Sequence, residues 1–184
     1  MSRLPRIHGR RHREPGDLFT IEQLDLEFQN GERRVYERLI SRGLGAVIVV
    51  PVQSDGSVLL VREYAAGLHH YEIGLVKGRL EPGEGILEAA QRELQEEAGV
   101  AARRLQELTQ LSLAPGYMTH ITHVVLAREL YASRLPGDEP EQLEVVPWAL
   151  DRLPELTARP DCTEGRTIAA LYIARDFLAA ESRS

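Results

Sequence analysis

A short acidic stretch, residues 78–100 (GRLEPGEGILEAAQRELQEEAGV), carries the side chains best suited to chemistry. On a helix, Glu93, Glu96 and Glu97 stand at positions i, i+3 and i+4, so their carboxylates share one face. Like charges at these spacings destabilise an isolated helix by about 0.2–0.5 kcal/mol per pair. A divalent cation relieves this repulsion, because Mg²⁺ prefers carboxylate oxygens. The pattern indicates a metal site, and the alternative is a solvated acidic helix face.

The residues around this cluster follow a longer pattern. A glycine is followed after five residues by a glutamate, and after seven more by Arg-Glu-aliphatic-x-Glu-Glu-x-Gly-aliphatic. This stretch resembles the Nudix box, and a chance match of this length is on the order of 10⁻⁷ at average residue frequencies. The matching positions are Gly78, Glu84, Arg92, Glu93, Leu94, Glu96, Glu97, Gly99 and Val100.

The resemblance implies a loop–helix–loop site that hydrolyses a nucleoside diphosphate linked to another moiety, X. It implies that a small-molecule nucleotide is the substrate and that Mg²⁺ is the cofactor, with Mn²⁺ as the alternative ion. Glu93 and Glu97 are then the main metal ligands, Glu96 assists them, and a backbone carbonyl near Gly78 completes the set.

Two further residues of the box gain a supporting role from the same resemblance. Glu84 and Arg92 are expected to form a positioning ion pair. Arg92 also precedes Glu96 by four residues, a spacing at which a helical arginine reaches a carboxylate. Pro82 and Gly83 suit the bend of the loop before the helix.

The resemblance extends beyond the box to nearly the whole chain from Leu18 onward. It points to the ADP-ribose pyrophosphatase branch, and most closely to the bacterial ADP compounds hydrolases. Typical ADP-ribose pyrophosphatases carry an arginine at the position of Ala65, which favours an enzyme acting on several ADP-containing compounds. The stretches that carry the likeness are NGERRVYERL, VREYAAG, YEIGLVKG, LSLAPGYM, with Pro115 sixteen residues beyond Gly99, and GDEPE.

By the same resemblance, substrate contacts are expected on both sides of the box. Arginines suit phosphate recognition, and aromatic rings stack on bases. The alternatives are solvated strand charges for the arginines and core positions for the aromatic residues. The candidates are Arg33, Arg38, Arg62, Glu63, Phe19, Pro115 and Tyr117.

The catalytic base is expected in the late acidic loop GDEPEQ, opposite the box. Glu141 and Glu139 are the two candidates by family analogy, and Glu141 aligns somewhat better. The alternative is an ordinary acidic surface loop. The paired histidines His69-His70 and the pair His120/His123 are interpreted as surface or strand residues, because nothing else completes a transition-metal site.

The pattern of apolar residues predicts an α/β (α+β) fold with a mixed β-sheet sandwiched between helices, and the resemblance implies that this is the Nudix fold. A helix is predicted over 86–98, with an apolar stripe of Leu87, Ala90, Leu94 and Ala98. An Asn-Gly turn predicts an N-terminal antiparallel hairpin, and VLLVREY is expected to pair back on GAVIVVPV. The predicted division is a flexible basic arm (1–13), a strand hairpin that forms a homodimer (14–42) and a Nudix hydrolase domain (43–184).

Composition restricts the other possibilities. The 184-residue chain has a net charge of −6, although residues 1–13 carry five arginines and no acid. The acidic body would repel a phosphate backbone, so nucleic-acid binding and RNA-end processing are disfavoured. The single cysteine suits a reducing cytoplasm, and no apolar stretch is long enough to span a membrane. A sugar-nucleotide or dinucleoside-polyphosphate hydrolase and a non-catalytic ADP-ribose sensor remain as alternatives.

Overall fold

The computed structural model of the chain describes residues 6–12, 19–41, 43–137 and 139–183. Within these ranges the chain forms ten strands and three α-helices. The first three strands form an antiparallel sheet with β2 in the centre. They are β1 (Arg6–His12), β2 (Phe19–Glu27) and β3 (Arg33–Ser41).

A four-stranded mixed sheet lies at the centre of the remaining chain, in the order β7-β4-β9-β8. Strands β4 and β9 are parallel, whereas β4 with β7 and β8 with β9 are antiparallel. The four strands are β4 (Ala46–Pro51), β7 (Val76–Arg79), β8 (Val100–Ser112) and β9 (Ile121–Ala132).

A second, antiparallel sheet has the order β10-β5-β6 and contains β5 (Ser57–Ala65), β6 (His70–Gly74) and β10 (Glu144–Ala149). The expected hairpin between VLLVREY and GAVIVVPV is therefore wrong. Only an isolated bridge, Val52 with Val58, joins these segments among the described residues. Both segments are buried, and the two sheets pack their side chains into one core instead of sharing a strand ladder.

Helices cover both faces of the mixed sheet, which confirms the predicted architecture. They are α1 (Ile86–Glu93), which continues as a π-helical turn (Leu94–Ala98), α2 (Leu153–Thr157) after a 3₁₀ turn (Leu150–Arg152), and α3 (Gly165–Glu181). Strand β4 is buried on both faces and explains this arrangement. Val47 and Val49 pack in the cluster that includes Leu94 of the π-helical turn, whereas Ile48 packs with Leu171 of α3.

The apolar face of α1 differs by one residue from the predicted stripe. Ala90, Leu94 and Ala98 are buried as expected, but Leu87 is 42% exposed and Ala89 is fully buried instead. The small Ala89 and Ala90 side chains form the face of α1 that packs against the sheet. The face of α1 that contacts the sheet is therefore narrower than a stripe of large apolar residues would be.

The N-terminus differs from the prediction over Arg6–His12, which form a strand rather than a flexible arm. Strand β1 pairs with β2, and its basic side chains meet acids there, as in the ion pair of Arg11 with Asp25 at 2.9 Å. Residues 1–5 and 13 of the predicted arm lie outside the described residues. The Asn30-Gly31 turn is confirmed, since Gly31 takes φ +81° between β2 and β3.

Candidate active site

The loop and helix of the acidic stretch have well-defined ends. The backbone N–H of Gly85 donates to the Glu88 carboxylate at 2.9 Å, which satisfies a free donor at the start of α1. Gly99 ends the helix in the left-handed conformation, with φ +68°. Between these ends the helix widens into the π-helical turn, a feature that is frequent at functional sites.

Two glutamates of this helix are almost removed from solvent. Glu93 and Glu97 are 7% and 5% exposed, and Glu96 is half-buried. The Glu93 carboxylate lies directly against the backbone of Gly78, where an added Cβ would stand 1.8 Å from Oε1. Only glycine fits at that position, so the loop backbone and the helix carboxylates form one cradle.

Arg92 connects the carboxylates of this region. Its guanidinium donates to both oxygens of Glu84, at 2.8 and 3.0 Å, so the expected ion pair is present. Its Nη1 also donates to Glu93 at 2.7 Å and to Glu96 at 3.0 Å. The hydrogen bonds from Arg92 hold the pKa of Glu84 below its usual range, and the bonds to Glu84 help raise the pKa of Arg92.

Glu97 differs because no guanidinium from the described part of the chain pairs with its carboxylate. Burial raises the pKa of Glu97 to about 8, against the opposing charge of Lys77, and the nearby Glu93 and Glu63 carboxylates add to the rise. The Lys77 ammonium pairs with Glu63. Glu97 accepts only a long bond of 3.4 Å from the Lys77 backbone N–H. The site is short of positive charge at this carboxylate.

The arrangement fits a divalent cation of the Mg²⁺ type. The donors are carboxylate oxygens beside a close backbone, in an open cleft of about 610 Å³. Among the described residues, no three His, Cys, Asp or Glu side chains already converge on a single ion position. Arg92 occupies one oxygen each of Glu93 and Glu96.

The acidic loop after β9 reaches this cleft. Glu139 lines the cleft together with Glu96 and Glu97. Glu141 does not line it and instead accepts a hydrogen bond of 2.6 Å from the Tyr71 hydroxyl. Both glutamates line a neighbouring cavity of about 380 Å³ together with Glu96. They differ because Glu139 also lines the cleft, whereas Glu141 is bound by Tyr71.

The candidate substrate residues outside the box do not line this cleft. Arg33 pairs with Glu27 and Arg38 with Glu22, within the N-terminal sheet. Arg62 donates to Glu144 at 2.9 Å and to Asp161 at 3.1 Å, while Glu63 accepts from Lys77. Phe19 and Pro115 are exposed.

Tyr117 is not a core residue, since it is 57% exposed. Its carbonyl accepts from the N–H of Leu39 at 2.7 Å, and the N–H of Thr119 donates to Leu39 at 3.0 Å. The loop that contains Pro115 is therefore joined to β3 of the N-terminal sheet. These bonds connect the N-terminal sheet to the rest of the chain.

A second cavity, of about 570 Å³, shares Lys77 with the cleft. Ala65 and Leu68 line it, together with Glu72, whose carboxylate is held by Thr163 at 2.8–3.0 Å. The sequence reasoning missed Lys77 and Thr163. Lys77 directly precedes the first glycine of the box, whereas Thr163 lies 91 residues from Glu72 along the chain and carries no local signal.

The histidines take protein partners. His69 accepts from or donates to the Tyr64 hydroxyl at 2.6 Å, and His70 pairs with Glu72. His120 lies between Ser41 and Arg166, and burial lowers its pKa. His123 contacts Glu107 at 2.7 Å.

Comparison with known proteins agrees with this geometry. The NUDIX domain family matches residues 42–164, and the NudE-type Nudix hydrolase N-terminal domain matches residues 5–38. The chain belongs to the Nudix family, which confirms the resemblance seen in the sequence. It is therefore an enzyme of the class that acts on pyrophosphate bonds, and such enzymes generally use divalent metal ions.

Three relatives cover most of the chain. The ADP compounds hydrolase NudE of Escherichia coli K12 is 46% identical over 90% of this chain and 89% of that protein. The ADP-ribose pyrophosphatase of Bacillus subtilis 168 is 32% identical over 85% of this chain and 84% of that protein. A crystal structure of an ADP compounds hydrolase is 42% identical, with a TM-score of 0.91 over 100% of this chain and 99% of that one.

Among the described residues, no helix combines the length and the apolar character needed to cross a membrane.

Proposed function

We propose that this protein is a Mg²⁺-dependent hydrolase that splits ADP–X with water into AMP and a phosphorylated X. The observation that carries the proposal is the buried carboxylate pair, Glu93 and Glu97, packed against Gly78 beside an open cleft. The names of two relatives given above, the ADP compounds hydrolase and the ADP-ribose pyrophosphatase, support the substrate class.

The residues of the box have different roles in the proposed reaction. Glu93, Glu97, Glu96 and the carbonyl of Gly78 hold the cation, with Mn²⁺ as an alternative to Mg²⁺. When bound, the cation neutralises charge on the diphosphate and lowers the pKa of a coordinated water. Arg92, fixed by both oxygens of Glu84, keeps Glu93 and Glu96 aligned at the cleft.

The chemical step is displacement at phosphorus by water. The water oxygen forms a new P–O bond, the bridging P–O bond breaks, and the bridging oxygen leaves with the other phosphate. Glu139 is the carboxylate of the late loop that faces the cleft, so it accepts the proton of the attacking water. Glu141 is the alternative base from the sequence.

The second cavity suits a permissive site for X. It adjoins the cleft through Lys77, and Ala65 lines it where an arginine would otherwise reach in. A small apolar side chain at that position leaves room for different groups. Losing one contact on this side costs about 1–3 kcal/mol of discrimination, or roughly 10–200-fold.

The adenosine half of the substrate is assigned to the N-terminal sheet, within a homodimer. Arg33, Arg38 and Phe19 do not line the cleft of their own chain, so a second copy is proposed to bring them to the adenosine. In the N-terminal sheet, Val35 is 60% exposed and Tyr36 is also exposed. These side chains are suited to burial against a partner chain. The remaining candidates for substrate contacts within one chain are Arg62, Glu63, Pro115 and Tyr117. Sedimentation of a fully active monomer at micromolar concentration would contradict the dimer.

The test is product analysis with Mg²⁺ across a panel of dinucleotides and sugar nucleotides. ADP-ribose, NADH and diadenosine polyphosphates are each expected to yield AMP. GDP-mannose and UDP-glucose are expected to be poor substrates. The GDP-mannose arm matters because GDP-mannose pyrophosphatases of Salmonella are 26–27% identical to this chain. A higher kcat/KM for GDP-mannose than for ADP-ribose would overturn the ADP assignment and leave the Nudix assignment standing.

A further inference from the structure

The loop between β9 and β10, whose described residues are 133–137 and 139–143, is attached to the rest of the molecule in two different ways. Its first half is tied to the π-helical turn of the box. The Ser133 N–H donates to Gly99 at 3.1 Å, and the Leu135 N–H donates to Gln95 at 3.1 Å. The Gln95 side chain also donates to the Ser133 hydroxyl at 2.8 Å. These bonds attach the first half of the loop to the helix that carries the metal ligands.

The second half is tied to β6 instead. The Tyr71 hydroxyl donates to Glu141 at 2.6 Å, across 70 residues of sequence. The Tyr71 ring packs edge-on against Tyr64 at 5.8 Å, and Tyr64 is itself hydrogen-bonded to His69. The Tyr71 hydroxyl is protonated at neutral pH and is therefore a donor, and the bond to Glu141 raises the pKa of Tyr71 further.

Glu139 lies between these two attachments and faces the metal cleft. A loop carboxylate that acts on a water must be held within hydrogen-bond reach of it. The first attachment holds the loop on the side of the helix, before Glu139. The second attachment, through Glu141, holds the loop after Glu139.

We propose that Tyr71 is a positioning residue for hydrolysis, and that it acts by binding Glu141 and so fixing Glu139 at the cleft. Glu141 is then the anchor of the loop and not the base. The proposal rests on the proposed function for its kinetic consequence, and on the loop geometry alone for its structural one.

The kinetic test compares variants that keep or remove each half of the bond. Tyr71→Phe and Glu141→Ala are expected to lower kcat for ADP-ribose about five- to tenfold, the scale of one exposed charge-assisted hydrogen bond, with KM within about twofold. Glu141→Gln keeps an acceptor oxygen and is expected to stay within about threefold of the parent. Glu139→Gln is expected to lose at least ~100-fold, as for a general base.

Two controls sharpen the kinetic result. The double variant Tyr71→Phe/Glu141→Ala is expected to be no worse than either single variant, because both remove the same bond. Tyr172→Phe removes a hydroxyl from α3, whose ring keeps its contact with Arg175, and is expected to behave like the parent. If Glu141→Gln lost as much kcat as Glu139→Gln, Glu141 would be the base and the proposal would fall.

A measurement without substrate separates this proposal from the proposed function. Hydrogen exchange of amides in residues 139–143 is expected to be about five- to tenfold faster in Tyr71→Phe than in Tyr172→Phe, since the loop opens more often. This result would hold even if the parent protein cleaved no ADP compound. Equal exchange in the two variants would contradict the anchor.

Discussion

Two buried glutamates in different parts of the molecule have opposite electrostatic surroundings. Glu22 in the N-terminal sheet is 2% exposed, and Glu97 in the box is 5% exposed. Removal from water alone raises the pKa of both carboxyls. The neighbouring charges then decide the outcome.

In the N-terminal sheet the charge of Glu22 is compensated. Burial raises its pKa, but Arg38 at 2.7 Å, with Arg10 at 3.6 Å and His12 at 3.5 Å, outweighs burial and lowers the pKa overall. Three basic side chains on two strands therefore enclose one acid. This is the arrangement of a structural ion-pair cluster.

In the box the compensation is missing. The Lys77 ammonium that would balance Glu97 pairs with Glu63, and Arg92 serves Glu84, Glu93 and Glu96. Burial therefore raises the pKa of Glu97 to about 8, although the charge of Lys77 opposes the rise. A buried carboxylate therefore indicates a functional site when the protein provides too little positive charge beside it. A bound cation can then supply that charge.

The largest expected effect comes from removing the uncompensated charge. Glu97→Gln is expected to lower kcat for ADP-ribose by about 10²–10⁴, the scale of losing a key catalytic group. The fold is expected to survive, because the neutral amide costs less to bury than a charge. Steady-state kinetics with saturating Mg²⁺ and a melting curve give the answer, and near-normal turnover would contradict the site assignment.

The pH dependence of the metal-free protein is the next largest effect. The folded pKa of Glu97, about 8, lies above its unfolded value near 4.5, so the folded state binds more protons between these values. Stability is expected to fall as pH rises through this window, by at most about 1.4 kcal/mol per pH unit from this group. Urea titrations at pH 5, 6.5 and 8 in EDTA measure it. The Glu97→Gln variant isolates the contribution, and an identical slope in both proteins would argue against a raised pKa.

The smallest effect is expected at the compensated glutamate. Glu22→Gln keeps an acceptor for Arg38 but loses the charge, so unfolding free energy is expected to fall by about 1–2 kcal/mol. The melting temperature would drop by a few degrees, on the order of 2–4 °C per kcal/mol for a chain of this size. A stabilised Glu22→Gln variant would mean that the basic residues do not offset burial.

The sequence was most informative where its signals were local. The spacing of Arg92, Glu93, Glu96 and Glu97 is read within one helix, and the Arg92–Glu96 contact follows from a separation of four residues. Gly99 directly follows the helix predicted over 86–98, and its left-handed φ of +68° ends the helix there.

Features that depend on distant partners could not be predicted. Strand β1 is rich in arginine and lacks apolar alternation, so it becomes a strand only because β2 offers a ladder and acids such as Asp25. The contact of Tyr71 with Glu141 joins residues 70 apart. The separation of β5 from β4 was missed because the turn at 54–57 predicts a hairpin locally, and core packing prevails over it.

Binding of Mg²⁺ in the absence of substrate tests the central claim most directly. Melting curves with 0–10 mM Mg²⁺ at pH 8 compare the parent protein with Glu93→Gln/Glu97→Gln and with Glu22→Gln. A cation at 100 times its Kd adds about 2.7 kcal/mol of stability, so the parent and Glu22→Gln are expected to gain several degrees and the double variant none. Equal gains in all three proteins, or no gain in the parent, would contradict a metal site at Glu93 and Glu97.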